Sequence, residues 1–271
     1  QVLNSNYIMT KFGQNRLNVT VNVHYGSKEH TLFQIYFRFL FILFIGFFLI
    51  SMLRHLFVNP VKYWHLEQKL TVPLLALSIL YNDPFYIFQA KSPTYVYILW
   101  HTIATSVFVS YFQFFILALF DSLRYKNRKT DQCFFIPKLV YCLILFLSSV
   151  THGIYDDISS FHGATSENFD DVESVLRWLQ IFLNIGYFFW AVSSIVLAGI
   201  QIDVTERYKF IMYTVAGGTS IFVLAIVHVL FSALSLFQNS AIHFVMTFSV
   251  QNAFVLMMLL LHLFKICLIF K

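Results

Sequence analysis

Charge is what this sequence has least of. Of its 271 residues, 11% are Asp, Glu, Lys or Arg, less than half of the roughly one quarter usual in soluble domains. A water-soluble fold is excluded, because 58% of the residues are hydrophobic and a chain of this length has no interior large enough to hide them. Cysteine is scarce too. Cys133, Cys142 and Cys267 all fall outside the connections assigned below to the extracytosolic side, so no disulfide is expected. Cys267, two residues after Lys265, suits either palmitoylation or a plain interfacial thiol. No phosphate loop, nucleophile motif or pair of catalytic carboxylates occurs, so the sequence offers no argument for an enzyme. No two histidines share a helical face four residues apart, so no metal site is expected. The net charge of +5 comes from short clusters between apolar runs and not from a basic stripe, which argues against a nucleic-acid partner. The chain opens on Gln1 without a signal-peptide pattern, so a processed product or part of something longer is expected.

What the sequence has in abundance is aromatic and aliphatic residues in long runs, with 33 Phe and 15 Tyr. Crossing a bilayer takes about 20 apolar residues. Seven stretches qualify: 31–58, 68–88, 95–120, 134–155, 175–202, 208–237 and 241–270. Their connections alternate in charge. Arg54, Lys62 and Lys69 follow the first run; Arg124, Lys126, Arg128 and Lys129 follow the third; Arg207 and Lys209 follow the fifth; Lys265 and Lys271 end the chain. The intervening connections are poor in basic residues, and the one after the fourth run is acidic. Basic connections stay in the cytosol. The expected fold is therefore an all-α membrane protein, a seven-transmembrane helix bundle with its N-terminus outside and its C-terminus inside. Residues 1–31 form a separate extracytosolic segment, the remnant of a luminal domain, in which 17–25 alternates like a short β-strand. Residues 32–271 form the seven-helix domain. Asn18 begins a glycosylation sequon on the expected outer side. The expected location is an integral, multi-pass one in the secretory pathway, endomembranes or plasma membrane.

Polar groups within apolar runs are costly and mark candidate sites. His101, His152, Asn184 and His228 fall toward the outer ends of their runs, and Asn82 and Asp83 close the second. Together they line a polar cavity open to the outside or tie helices together by hydrogen bonds. Gln113, Gln251 and Asn252 lie deeper and read as amides paired between helices. Gly217-Gly218-Thr219-Ser220 permits close packing or a kink. Asp83-Pro84 ends or kinks its helix, with Asn82 and Asp83 able to bond freed backbone groups. Pro137 sits early in its helix, where a missing N–H costs little, and Lys138 can reach the cytosolic headgroups. No span is expected to carry a mid-membrane charge of the kind ion pathways use. Retinal and rhodopsin-like classes are disfavoured. The last run has no central lysine, and Glu206-Arg207-Tyr208 opens the sixth run where the receptor triplet ends the third helix.

The run 74–85 (LLALSILYNDPF) resembles the Leu-rich segment ending in Tyr-Asn-Asp-Pro-Phe of the transmembrane protein 181 family, within the Wntless-like, GOLD-domain seven-transmembrane superfamily. Further similarities follow in order: 134–138 (FFIPK), 149–154 (SVTHGI), Asn168-Phe169, Arg207-Tyr208-Lys209-Phe210 and Asn252. They cover about 67–263. The superfamily's luminal β-rich domain and the family's acidic cytosolic tail have no counterpart here beyond the strand-like 17–25. The resemblance implies a non-enzymatic protein that binds lipid, or a lipidated or membrane partner, in membrane trafficking. No cofactor other than a bound phospholipid is implied, and the implied partners are membrane lipids and other membrane proteins. Two alternatives stay open: an accessory subunit of a larger membrane complex, and a seven-helix receptor whose basic segment 124–129 meets an acidic cytosolic partner.

If the N-terminal segment is extracytosolic, glycosidase treatment of protein made in animal cells increases its gel mobility, and Asn18→Gln abolishes that change. A sequon that remains unmodified, with residues 1–31 digested by protease added to sealed microsomes, would reverse the orientation.

Overall fold

The computed structural model describes residues 28–57, 64–91, 94–124, 132–162, 167–204, 207–223 and 241–269, and their side chains except at 28, 132, 157–162, 167–171, 173, 241–243 and 262–269. Every regular element among the described residues is helical. In chain order these are α1 (Lys28–Leu56), α2 (Leu66–Tyr81), the short α3 (Tyr86–Lys91), α4 (Tyr95–Leu123), α5 (Gln132–His162), α6 (Glu167–Gln201), α7 (Arg207–Tyr213) with the π-helical turn Thr214–Gly218, and α8 (Ala241–Ile269). Six candidate membrane spans result: Glu29–Leu56, Leu66–Lys91, Tyr95–Leu123, Cys133–Asp156, Ser174–Gln201 and Phe244–Leu261. The second combines α2 and α3. The chain is thus an all-α, multi-pass membrane protein. The expected sixth span, 208–237, is described only as far as residue 223, and the strand-like 17–25 lies outside the described residues.

Burial sorts the helices. The apolar window of α4 is 67% buried, whereas that of α1 is 17% buried. The helix α4 is therefore the axis, and α1 lies against lipid. Around α4 pack α2, α3, α5 and α6, while α8 closes the bundle against α1, α2 and the π turn. Phe108, Phe115 and Phe120 of α4 are fully enclosed. Phe112 meets Phe254 of α8 edge-on at 4.6 Å. On α1 only a narrow stripe is buried, with Ile45, Met52 and Leu56 inside and Phe39, Leu43 and Phe47 exposed. Exposed aromatic and aliphatic side chains are what a lipid-facing helix presents.

Small residues set the α4–α5 distance. The Oγ atoms of Ser106 and Ser149 are 3.1 Å apart. One turn along α5, a Cβ on Gly153 would lie 2.5 Å from Thr102 Cγ2. Ser149 and Gly153 stand four residues apart on one face, the small-xxx-small spacing that lets membrane helices approach closely. Gly186 of α6 plays the same part toward Tyr141 of α5, whose hydroxyl donates to Leu183 O at 2.7 Å.

Irregular backbone is met by neighbours. Pro73 lies inside α2, and Tyr111 of α4 donates its hydroxyl to Leu70 O, one turn before it, at 2.9 Å. Trp64 donates Nε1–H to Leu56 O at 3.0 Å, capping the end of α1. Lys138 does not reach for headgroups. It turns inward to Asp121 Oδ2 at 2.7 Å and Phe134 O at 2.7 Å, while Arg124 holds Asp121 Oδ1 at 3.2 Å and Gln201 Oε1 at 3.0 Å. A carboxylate at the end of α4 offers a buried ammonium more than distant water does.

Gly153→Ala should lower the thermal midpoint in detergent, at a cost of about 1–3 kcal/mol for overpacking. Thr102→Ser, which removes the obstructing methyl and keeps the hydroxyl, should restore much of it. An unchanged midpoint for Gly153→Ala would mean that α4 and α5 do not touch there.

Candidate functional site

The site grows from the place where α2 stops. Asn82 N–H still reaches back to Ser78 O at 3.0 Å, but Asp83 takes φ 49°, and α3 resumes only at Tyr86. Positive φ is tolerated by Asp and Asn because their short side chains can bond local backbone. Here Asp83 Oδ1 accepts the N–H of Phe85 at 3.3 Å. Pro84 prevents the helix from continuing with its own N–H. Asn82 donates Nδ2–H to Ser78 O at 2.6 Å and to Asn252 Oδ1 of α8 at 2.9 Å. Asn252 in turn donates to Phe248 O at 2.9 Å. Asn82 and Asn252 are wholly enclosed and Asp83 nearly so. Tyr81 wedges between Phe108 of α4, 4.4 Å away, and Phe248 of α8, 5.5 Å away.

Charge gathers beside this break. Asp83 Oδ2 lies 3.2 Å from Nδ1 of His101, whose side chain is 36% exposed. Arg38 of α1 is 7% exposed and lies within electrostatic reach of Asp83. Its guanidinium carbon sits 4.5 Å from the ring centre of Tyr86, 5.2 Å from that of Phe248 and 5.3 Å from that of Phe244. Tyr86 donates its hydroxyl to Gln34, and Gln34 Nε2 lies 2.9 Å from a ring nitrogen of His30. Aromatic faces attract the cation, by about 2 kcal/mol when desolvated, but they accept no conventional hydrogen bond. Arg38 Nε and Nη1 have no hydrogen-bond partner.

The structure therefore divides the sequence-derived residues. Asn82, Asp83 and His101 meet at one junction. His152 lies beside Gly153 at the level of Thr102, one residue from His101, with a buried Nε2 that has no hydrogen-bond partner. Asn184 belongs to another layer. It accepts from Gln113 Nε2 at 3.3 Å and donates to Gln180 O at 2.9 Å. Gln113 is twelve residues beyond His101 on α4, a rise of about 18 Å. His228 and Asn18 lie outside the described residues.

Arg38 departs from the sequence expectation that no span carries such a charge. The signal was present: a lone arginine eight residues into an apolar run is a functional candidate by rule. What obscures it is the richer basic cluster at the far end of the same run, which dominates any reading of orientation. Gln34 and Tyr86 were missed for a different reason, since only the turn after α2 brings α3 against α1. Among the described residues no group of His, Cys, Asp or Glu is placed to hold a metal ion.

Residues 27–265 match the family described as the Wntless-like transmembrane domain. The chain is also similar to human transmembrane protein 181, with 28% identity over 130 residues, which is 48% of this chain and 27% of that protein. The matched segment thus spans about a quarter of the curated relative's length. No solved structure matches.

Asn82→Leu and Asn252→Leu should each destabilise the protein, because each removes the bond between the two amides, and Asn82→Leu also leaves Asn252 Oδ1 buried without a donor. In a double-mutant cycle read by thermal unfolding, the double variant should lose less than the sum, with a coupling of about 0.5–2 kcal/mol. Strict additivity would show that the two amides do not interact.

Proposed function

The chain belongs to the Wntless-like transmembrane family, and from that premise we propose a non-enzymatic protein that holds a lipid, or a lipidated or membrane-embedded partner, and accompanies it in membrane traffic. The observation that carries the proposal is a set of buried polar atoms left without hydrogen-bond partners at the helix break and on α4, α5 and α8. Ser78 Oγ and Asn82 Oδ1 of the α2 end, Trp100 Nε1 and Thr105 Oγ1 of α4, Ser148 Oγ and His152 Nε2 of α5, and Gln251 Oε1 of α8 are all in this state. Each such atom costs about 1–3 kcal/mol if nothing pairs with it, and native interiors pair nearly all of theirs. A bundle that keeps this many is suited to receive polar groups from outside itself, whether ordered water or the polar end of a lipid or lipidated guest.

An acyl chain accompanying such a group needs a sideways gap between helices. The helix α6 packs along α4 and α5. It meets α7 at Gly199, where a Cβ would lie 3.1 Å from the Phe210 ring. Beyond that point the π turn widens its helix. Among the described residues, a side chain added at Gly218 would find only Thr214 Cγ2, at 3.8 Å, leaving room that an acyl chain can use. On this reading the chain passes between α6 and the π turn with its polar end toward His152 and Thr105.

The receptor alternative draws on the basic segment after α4. Its first member, Arg124, is committed to Asp121 and Gln201, so this residue contributes to closing the bundle. The lipid-holding reading is preferred on that account.

A fatty acid carrying a photoreactive group, added to the protein in nanodiscs, should label α6 and the π turn well above the lipid-facing stripe Phe39–Leu43–Phe47 of α1. Gly218→Phe should reduce that labelling several-fold without altering the melting profile. Labelling spread evenly over all exposed helices would remove the basis for a specific lipid site.

A further inference from the structure

Two buried cations occur among the described residues, and the bundle treats them differently. Lys138 is paired, with the Asp121 carboxylate and the Phe134 carbonyl both at 2.7 Å. Arg38 is surrounded by the rings of Tyr86, Phe244 and Phe248, and neither Nε nor Nη1 has an acceptor. The nearby carboxylate does not supply one. Asp83 Oδ1 accepts the Phe85 N–H, and Oδ2 faces His101 Nδ1. The faces of the guanidinium are thus covered while donors on its edges remain unspent, in a membrane segment where unspent donors are expensive.

We infer that Arg38 receives the phosphate of a lipid headgroup at the membrane face where α1 begins. The inference rests on the lipid-holding reading above and adds a headgroup contact to it. Guanidinium edges match phosphate oxygens in geometry as well as charge. Depth selects a headgroup as the source. The Glu29–Leu56 span has 28 residues, so it is about 42 Å long at 1.5 Å per residue and overhangs a 30 Å hydrocarbon layer by about 6 Å at each end. Arg38 Cα lies nine residues past Glu29, about 14 Å along, and helical side chains lean back toward the N-terminus. Arg38 Cα is therefore about 8 Å inside the hydrocarbon edge, within a side chain's length of it, and its guanidinium lies over the ring of Tyr86, whose hydroxyl bonds Gln34 one turn nearer that edge. The same lean keeps it away from the bilayer centre, where a bound phosphate would itself be unstable.

The test uses the full chain, purified in mild detergent and depleted of lipid, then exposed to phosphatidylglycerol, to oleate or to inorganic phosphate, with retained ligand read by native mass spectrometry. Wild type should retain phosphatidylglycerol, Arg38→Gln should retain at least tenfold less, and inorganic phosphate in excess should not displace the lipid. Equal retention by Arg38→Gln would overturn the role of Arg38 while leaving the lipid-holding reading intact. Failure of wild type to retain any lipid would overturn both. Oleate held as firmly as phosphatidylglycerol would replace the phosphate by a carboxylate, and displacement by inorganic phosphate would rule out the headgroup as its source. Should Arg38→Gln not fold, Arg38→Lys decides the matter. It keeps the charge without the planar fork, so retention should fall several-fold, and unaltered retention would overturn the assignment.

Discussion

A helix that stops inside a bilayer must find protein partners for the backbone groups it releases, because no water is there to take them. In this bundle that requirement falls at residues 82–85, and much of the architecture answers to it. Asn82 serves the carbonyl of Ser78 and, with the same amide, fixes α8 through Asn252. Asp83 turns the chain and holds Phe85 N–H. The turn brings α3 against α1, which gives Arg38 an aromatic wall in Tyr86. Three helices that are far apart in sequence are therefore organised by one interruption. The polar junction is what remains on the inner side of it.

The packing around the junction supplies rigidity where the polar contacts supply specificity. Tyr81 stacked between Phe108 and Phe248 ties α2 to α4 and α8, each ring pair contributing about 0.5–1.5 kcal/mol beyond its buried area. The far end of the bundle is closed in a different manner, by Asp121 between Lys138 and Arg124. One end thus has its charges paired by direct contact, while the other has a guanidinium whose Nε and Nη1 lack acceptors, beside buried amide and hydroxyl oxygens without partners. That asymmetry is the physical basis for assigning ligand chemistry to one end only.

Much of this fold was legible in the sequence because hydrophobic length is a one-dimensional property. Six of the expected runs appear as helices able to cross a membrane, and the termination at Asp83-Pro84 follows from the chemistry of those two residues. That Gln113 and Asn252 are amides bonded between helices was legible, but their partners were not. Asn184 looked like a member of the outer cluster, and only the crossing of α4 and α6 pairs it with Gln113. Lys138 looked like an interfacial residue, since nothing in the local sequence announces that Asp121, seventeen positions earlier, lies opposite. Arg38 shows the opposite failure: its local signal was adequate, but a rule concerned with connections does not weigh a lone charge inside a run. Pairings between helices depend on crossing geometry, which apolar periodicity does not encode.

The widened turn at Thr214–Gly218 has a geometric effect that reaches past its own five residues. A π turn accommodates one residue more than an α turn, so everything after it is rotated by about 100° relative to an unbroken α-helix. Phe210, before the turn, meets both Gly199 and Phe120. Ser220, after it, is buried and bonds Ala216 O. The helix therefore presents one azimuth to its neighbours upstream and another downstream. Spacings counted across this turn on a helical wheel assign residues to the wrong sides, and loss of a single residue within it would swing residues 219–223 about the helix axis.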